Sequence, residues 1–385
     1  MVEELLVESS SERKNRARER HERRKARQQG MARPGAARPD FRHLTPAGGI
    51  KLPSIKLPGL KIILYGLGGL VIIVAVIVIL GRLTGDKTPV ASNAIWIGTE
   101  WTYDRPDETA INALADRLRE NHINTVYAWV SLLQPDGAWS ETIKLDAVSD
   151  FVQAFRRVYP EVRLYGWLSV ASQGEDGSSR LGNPAIQQQV ADFSRRMVDD
   201  FAFDGLFLNI VPVLDGDEDF LSLLRRVRAT LGEGAFLSVA VPPDWTPPND
   251  AVPQPPQIAP DTYWQPDYKK RVALLADQMV ITAYNSGLDS SSDYAAWVAY
   301  QVQTFAGVAA EMDDAAQIII GIPAYDAETP EHRPDVENIA SAVEGVRRGL
   351  LAAGDAAAFV RGLAIYAEWD ADETDWMQFR DSWLR

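Results

Sequence analysis

No cysteine occurs anywhere in the 385 residues. That absence excludes a disulfide framework, a thiolate-held zinc or iron–sulfur centre, and a cysteine nucleophile. Histidine is nearly as scarce, at four residues. The chain also lacks a glycine-rich phosphate loop and a Gly-x-Ser-x-Gly elbow, the signatures of phosphate cradles and of α/β-hydrolases. Apolar residues are not scarce. They make up 46% of the chain, too many for a wholly disordered protein and enough for a large core.

The net charge of −14 conceals a division. Residues 1–61 carry +8 and residues 62–385 carry −22. Between the two parts, residues 62–81 (IILYGLGGLVIIVAVIVILG) run for 20 positions without a charge, bracketed by Lys61 and Arg82. At ~1.5 Å per residue that is about 30 Å of helix, enough to cross a bilayer core. The excess of basic residues before the run predicts a cytoplasmic N-terminus and a C-terminal part outside the cell. Sixty-one residues before a full-length span favour an uncleaved signal anchor over a signal peptide. Within the tail, residues 13–27 hold nine basic and two acidic side chains and no apolar stripe, which reads as a solvated tail. Contact with anionic lipid is the next reading, and nucleic acid is not expected as a partner. Residues 30–60 are rich in Gly and Pro and read as a linker. The division is therefore 1–61 tail and linker, 62–81 anchor, 82–93 short linker, and 94–385 outer domain.

The outer domain alternates short apolar strands with longer amphipathic segments. The strands read as Ala94–Trp101, Thr125–Val130, Arg163–Val170, Gly205–Val211, Phe236–Pro242, Gln278–Tyr284, Gln317–Tyr325 and Gly362–Trp369. Helical spacing between them is clear at Ile111, Leu114, Ala115 and Leu118, and at Phe220, Leu223, Leu224 and Val227. Asn183 before Pro184 marks a helix start. Eight strand–helix units in about 290 residues predict an α/β fold, a (β/α)8 TIM barrel. The competing open doubly wound sheet would carry a glycine-rich turn after its first strand, and Trp96–Trp101 has none.

A barrel of this kind works at the C-terminal ends of its strands. Those ends hold Glu100, Trp101, Trp167, Asn209, Asp244, Tyr284, Asn285, Asp326, Tyr366, Glu368 and Trp369. Aromatic faces beside carboxylates and amides suit sugar rings, whose C–H faces stack while their hydroxyls find acceptors; the bland alternative is packing under loops. The proline-rich stretch 242–260 reads as a stiff rim, in preference to a ligand for a proline-reading domain. Asp215, Asp217, Glu218 and Asp219 read as helix capping in preference to calcium binding. By this topology His21 and His43 are cytoplasmic, His122 lies on the wrong face, and only His332 is near the mouth. Neither a metal nor a cofactor is expected.

The fourth strand, Phe203-Asp204-Gly205-Leu206-Phe207-Leu208-Asn209-Ile210-Val211, resembles the D-G-x-D-x-D-x-E signature of glycoside hydrolase family 18. Ala276–Asn285 looks like that family's sixth-strand segment ending in Tyr-Asp. Ile320–Asp326 looks like its seventh-strand Gly-x-Pro-x-Tyr-Gly. Tyr366 sits where the eighth strand normally offers tryptophan. The resemblance covers residues 94–385 and implies a chitinase-like barrel that cleaves N-acetylated sugars with help from the substrate's own acetamido group. The departures fall on the chemistry. Val211 stands at the acid position, Asn209 at the Asp two positions earlier, and Phe207 at the outermost signature Asp. Valine donates no proton, so the family mechanism cannot run as written.

Two expectations follow. In one, the active site has moved, with Glu368 and Glu100 as a carboxylate pair and Asp244 and Asp326 in reserve. The strand alternation would place Glu368 on the face of Tyr366. In the other, the barrel binds cell-wall or surface glycan, or a protein, without cleaving it. The pairing of Glu368 separates them: a carboxylate facing the groove favours chemistry, and a salt bridge to arginine favours structure.

Overall fold

The computed structural model describes residues 92–385, apart from 106, 141–144, 248–250, 259–261 and 313–314. The tail, the apolar run 62–81 and most of the following linker lie outside the described residues. Among the described residues, no helix is long and apolar enough to cross a membrane.

Eight strands form one closed parallel barrel in sequence order. They are β1 (Asn93–Ile97), β2 (Ile123–Leu133), β3 (Arg163–Ala171), β4 (Gly205–Val211), β5 (Phe236–Val241), β6 (Gln278–Thr282), β7 (Gln317–Pro323) and β8 (Val360–Tyr366). Closure comes from β1 pairing with β8, Ala94 opposite Ala364 and Ile95 opposite Ile365, which excludes the open sheet. The connecting helices are α1 (Thr99–Thr102), α2 (Glu108–Glu120), α3 (Leu145–Val158), α4 (Pro184–Asp199), α5 (Glu218–Leu231), α6 (Pro266–Ala273), α7 (Ser291–Ala310), α8 (Ile339–Ala353) and α9 (Glu373–Phe379).

Period-two alternation divides each strand between two cores. On β3, Leu164, Leu168 and Val170 join the layer between sheet and helices, while Tyr165 and Trp167 join the barrel interior. Gly166 lets α4 pack close on the outward face: a Cβ there would lie 2.8 Å from the sulfur of Met197 on α4. The helix starts follow the sequence. Asn183 accepts from the Ala185 amide at 2.9 Å ahead of Pro184. Asp217 caps α5, accepting from the Phe220 amide at 2.9 Å. The acidic run is thus spent on capping and pairing, for Asp215 accepts from the Gln265 amide at 2.7 Å and Glu218 pairs with Arg271. Among the described residues no group of His, Asp and Glu is arranged to hold a metal ion.

Several strand ends differ from the sequence reading, and those of β1 and β8 bear most on the site. The first strand stops at Ile97. Glu100 and Trp101 stand instead on the single turn α1, where Glu100 Oε1 accepts from the Gly98 amide at 3.1 Å. The eighth strand stops at Tyr366, and Glu368 and Trp369 lie in the turn after it.

Candidate functional site

The floor of the mouth is an aromatic stack inside the barrel. Tyr127 and Phe207 lie face to face with ring centroids 4.3 Å apart. Trp96 sits 5.1 Å from Tyr127 and 5.5 Å from Phe207. Phe207, which the resemblance aligns with a signature Asp, is 1% exposed and packs inside the barrel. Below it, the Tyr127 hydroxyl and the Ser238 hydroxyl both donate to Gln278 Oε1, at 2.6 and 2.8 Å.

Tyr366 connects this floor to the mouth. It packs edge-on against Trp96 at 5.5 Å and stacks on Tyr284 at 5.1 Å with planes 17° apart. Tyr325 stands perpendicular to both, at 5.9 Å from Tyr366 and 6.3 Å from Tyr284. Trp369 completes the wall edge-on to Tyr366 at 5.5 Å. Burial pushes the Tyr284 and Tyr325 phenols well above their ordinary value, so both remain hydroxyl donors at neutral pH.

On the opposite side, β3 and β4 run in register, with Ser169 opposite Asn209 and Ala171 opposite Val211. The Ser169 hydroxyl accepts from Trp167 Nε1 at 3.0 Å and from Asn209 Nδ2 at 3.2 Å. Trp167 is 1% exposed and belongs to the floor, whereas Asn209 is half-buried at the mouth. Val211, which the resemblance aligns with the signature acid, is 44% exposed and offers no proton. Asp204 holds the foot of the strand, accepting from the Leu164 amide at 2.8 Å and pairing with Arg156.

The structure draws some of the candidates together and removes others. Tyr284, Asn285, Asp326, Tyr366 and Trp369 gather on the β6–β8 side of the mouth, where Asp326 is half-buried directly after Tyr325. Glu368 does not share the face of Tyr366, because alternation ends with the strand. Its amide donates to the Trp96 carbonyl at 3.0 Å. Its carboxylate turns toward the helices, accepting from Trp101 Nε1 and from Arg117 on α2, both at 3.2 Å. Burial raises the Glu368 carboxyl above its usual range, against the Trp101 bond and the Arg117 charge, which lower it. Trp101 likewise faces outward, against Phe151 of α3. Asp244, within the proline-rich stretch, is fully buried, ion-paired with Lys269 and accepting from the Trp264 amide at 3.2 Å. Burial lifts its carboxyl to about 6, against the lowering pull of Lys269.

A residue that sequence reasoning passed over ties the β6 and β7 loops together. Glu337, 1% exposed, accepts from the amides of Asn285 at 2.8 Å, Ser286 at 2.9 Å and Gly287 at 3.2 Å, and from the Ser286 hydroxyl. His332 lies buried between Glu337 and the Tyr325 carbonyl, at 3.2 and 3.0 Å. The clamp holds Asn285 in the left-handed region, φ 60°, where its Oδ1 accepts from the Tyr325 hydroxyl. Glu337 is 52 positions from Asn285, and no local pattern advertises such a bond.

No family model matches the sequence, and no curated protein does. Solved structures do resemble it. A chitinase from Chromobacterium violaceum superposes with TM-score 0.50 at 18% identity, over 77% of this chain and 99% of that one. A family 18 chitinase from Cycas revoluta in complex with (GlcNAc)3 gives 0.50 at 14%, over 76% and 100%. The spore cortex-lytic enzyme SleL of Bacillus cereus gives 0.50 at 11%, over 76% and 74%. Identities this low speak to the fold alone. The chain carries a glycoside hydrolase-like TIM barrel with the fold of the family 18 chitinases.

Proposed function

We propose that the protein is a membrane-anchored, extracytoplasmic barrel that binds amino-sugar glycan of the cell wall or cell surface and does not cleave it by the family 18 mechanism. The observation that carries this reading is the end of β4, where Val211 stands exposed at the acid position and Asn209 is bonded to Ser169. The mouth carries groups that suit a sugar ring. Tyr284 and Trp369, both half-buried against Tyr366, offer ring surface, while Asn209, Asn285 and Asp326 offer polar groups. Support for the ligand class comes from the Cycas revoluta chitinase, described in complex with (GlcNAc)3. Support for the anchor comes from the uncharged run 62–81.

The second reading, a relocated active site built on Glu368 and Glu100, draws on one observation: burial raises the Glu368 carboxyl, as a general acid requires. The bonds to Arg117 and Trp101 weigh against it, because they hold the carboxylate away from the groove. The deciding experiment incubates the full chain, in nanodiscs, with chito-oligosaccharides and cell-wall glycan, measuring binding by calorimetry and products by mass spectrometry. Binding without cleavage is the expected result. Cleavage that disappears in Glu368→Gln or Glu100→Gln would overturn it in favour of the second reading.

A further inference from the structure

Among the described residues two lysine or arginine side chains are buried, and their surroundings differ. Lys269 is neutralised by Asp244. Arg180, 8% exposed, makes no ion pair with any described residue. Its Nη1 donates to the Ala171 carbonyl at 2.8 Å, while Nη2 is shielded from water and meets no acceptor. The hydroxyl of Ser172, 4% exposed, is also without a partner, and the Arg180 amide donates to the Ser172 carbonyl at 2.9 Å. Asp136, on the loop after β2, acts on the guanidinium at a distance, but burial outweighs it and pushes the Arg180 pKa down. The domain that tolerates this unpaired cation is strongly acidic overall. A buried guanidinium without a counter-ion is costly, and a carboxylate oxygen is the acceptor its geometry fits best.

The location ties these groups to the mouth. Ala171, which anchors the guanidinium, is the register partner of Val211 at the end of β4. A short hairpin, bridged at Gln173 and Ser179, lies between Ser172 and Arg180 in the chain; its residues 175–179 are exposed. Its hydrogen bonds run within itself: Gly174 donates to the Ser178 carbonyl at 2.9 Å, and Asp176 Oδ1 accepts from the Ser178 amide at 3.0 Å. A segment bonded mainly to itself can tilt as a unit and admit a ligand.

We propose that Arg180 and Ser172 form an anion subsite beside the β3–β4 end of the groove, which takes the carboxylate of an acidic amino-sugar glycan. The proposal rests on the glycan-binding reading above and narrows it from amino sugars in general to those that carry a sugar carboxylate. That carboxylate accepts from Arg180 Nη2 and from the Ser172 hydroxyl. Two glycan types supply the group, a lactyl ether on every second sugar or a uronic acid in alternation with N-acetylglucosamine.

The test uses the full chain in nanodiscs of zwitterionic lipid and measures affinity for three tetrasaccharides: chitotetraose, one alternating N-acetylglucosamine with N-acetylmuramate, and one alternating it with glucuronate. At least one acidic ligand is expected to bind about tenfold or more tightly than chitotetraose. Arg180→Gln should remove that preference and leave chitotetraose binding intact, and Ser172→Ala should reduce it. Arg105→Gln, which removes an exposed arginine already paired with Asp150, should leave the preference unchanged. Thermal melting of each variant confirms its fold, and Ser172→Ala carries the test if Arg180→Gln does not fold. Equal affinity for all three ligands, or an undiminished preference in both Arg180→Gln and Ser172→Ala, would sink the subsite and leave the glycan-binding reading standing. Failure to bind any of the three would sink both.

Discussion

The three fourth-strand residues that the resemblance aligns with signature carboxylates sit in very different surroundings, so placing a carboxylate at each should have a different consequence. Phe207 is packed between Tyr127 and Trp96 at the centre of the barrel. A carboxylate there would be buried among aromatic rings without a partner, so Phe207→Asp should cost more than about 4 kcal/mol and leave little folded protein in a urea melt. Val211 is 44% exposed, and Val211→Glu should change stability by less than about 0.5 kcal/mol in the same melt. Asp244 supplies a pH prediction. Its carboxyl is raised to about 6 in the folded protein, above its ordinary value of 3.8. A carboxyl with a raised folded value holds its proton more tightly when folded. Its contribution to stability is therefore fully present below pH ~3.8 and lost as pH rises through ~6. Urea melts from pH 4 to 7 should show that component in the parent and not in Asp244→Asn. The motif spelled out which residues stood at these positions, but only packing reveals that a carboxylate is forbidden at one and permitted at another.

At the scale of elements, two contacts decide how the strands and loops around the mouth are held. Gly205 opens β4 with no room for a side chain, since a Cβ would fall 2.1 Å from the Phe236 carbonyl oxygen. Gly205→Ala should therefore disturb the β4–β5 pairing at a cost of about 3 kcal/mol or more, measured by denaturation. Glu337 holds the loop after β6 through three backbone amides and a hydroxyl. Glu337→Ala leaves those donors and His332 without their acceptor and should cost about 3–5 kcal/mol, with Glu337→Gln losing less. Glycan affinity should fall alongside, because Asn285 and Tyr325 depend on that loop. The strands were legible from their apolar runs, and the β4 boundaries fell where the sequence put them. The ends of β1 and β8, and by two residues those of β6 and β7, were not. A tryptophan or glutamate continues an alternating pattern on paper whether or not the backbone still pairs. Glu100, Trp101 and Glu368 followed the loops away from the barrel.

The molecule as a whole joins a basic segment of +8, residues 1–61, to an acidic remainder of −22 that opens with an uncharged run of 20 residues. If that run is the anchor, protease added to intact cells should degrade the barrel and spare the tail. Protection of the barrel would reverse the proposed orientation. What the sequence determined by itself was what local order can encode: the anchor candidate, the alternation of strands and helices, their count of eight, and a valine, Val211, where the resemblance expects an acid. Closure of the barrel, by contrast, brings together residues hundreds of positions apart, and only the tertiary structure could assign their roles. Arg117 and Trp101 reach Glu368 across 251 and 267 positions and turn a candidate acid into an ion-pair partner. Lys269 does the same to Asp244 from 25 positions away. Whether a carboxylate serves chemistry or structure depends on the charges and hydrogen-bond donors that surround it, and those are set by the fold rather than by its neighbours in sequence.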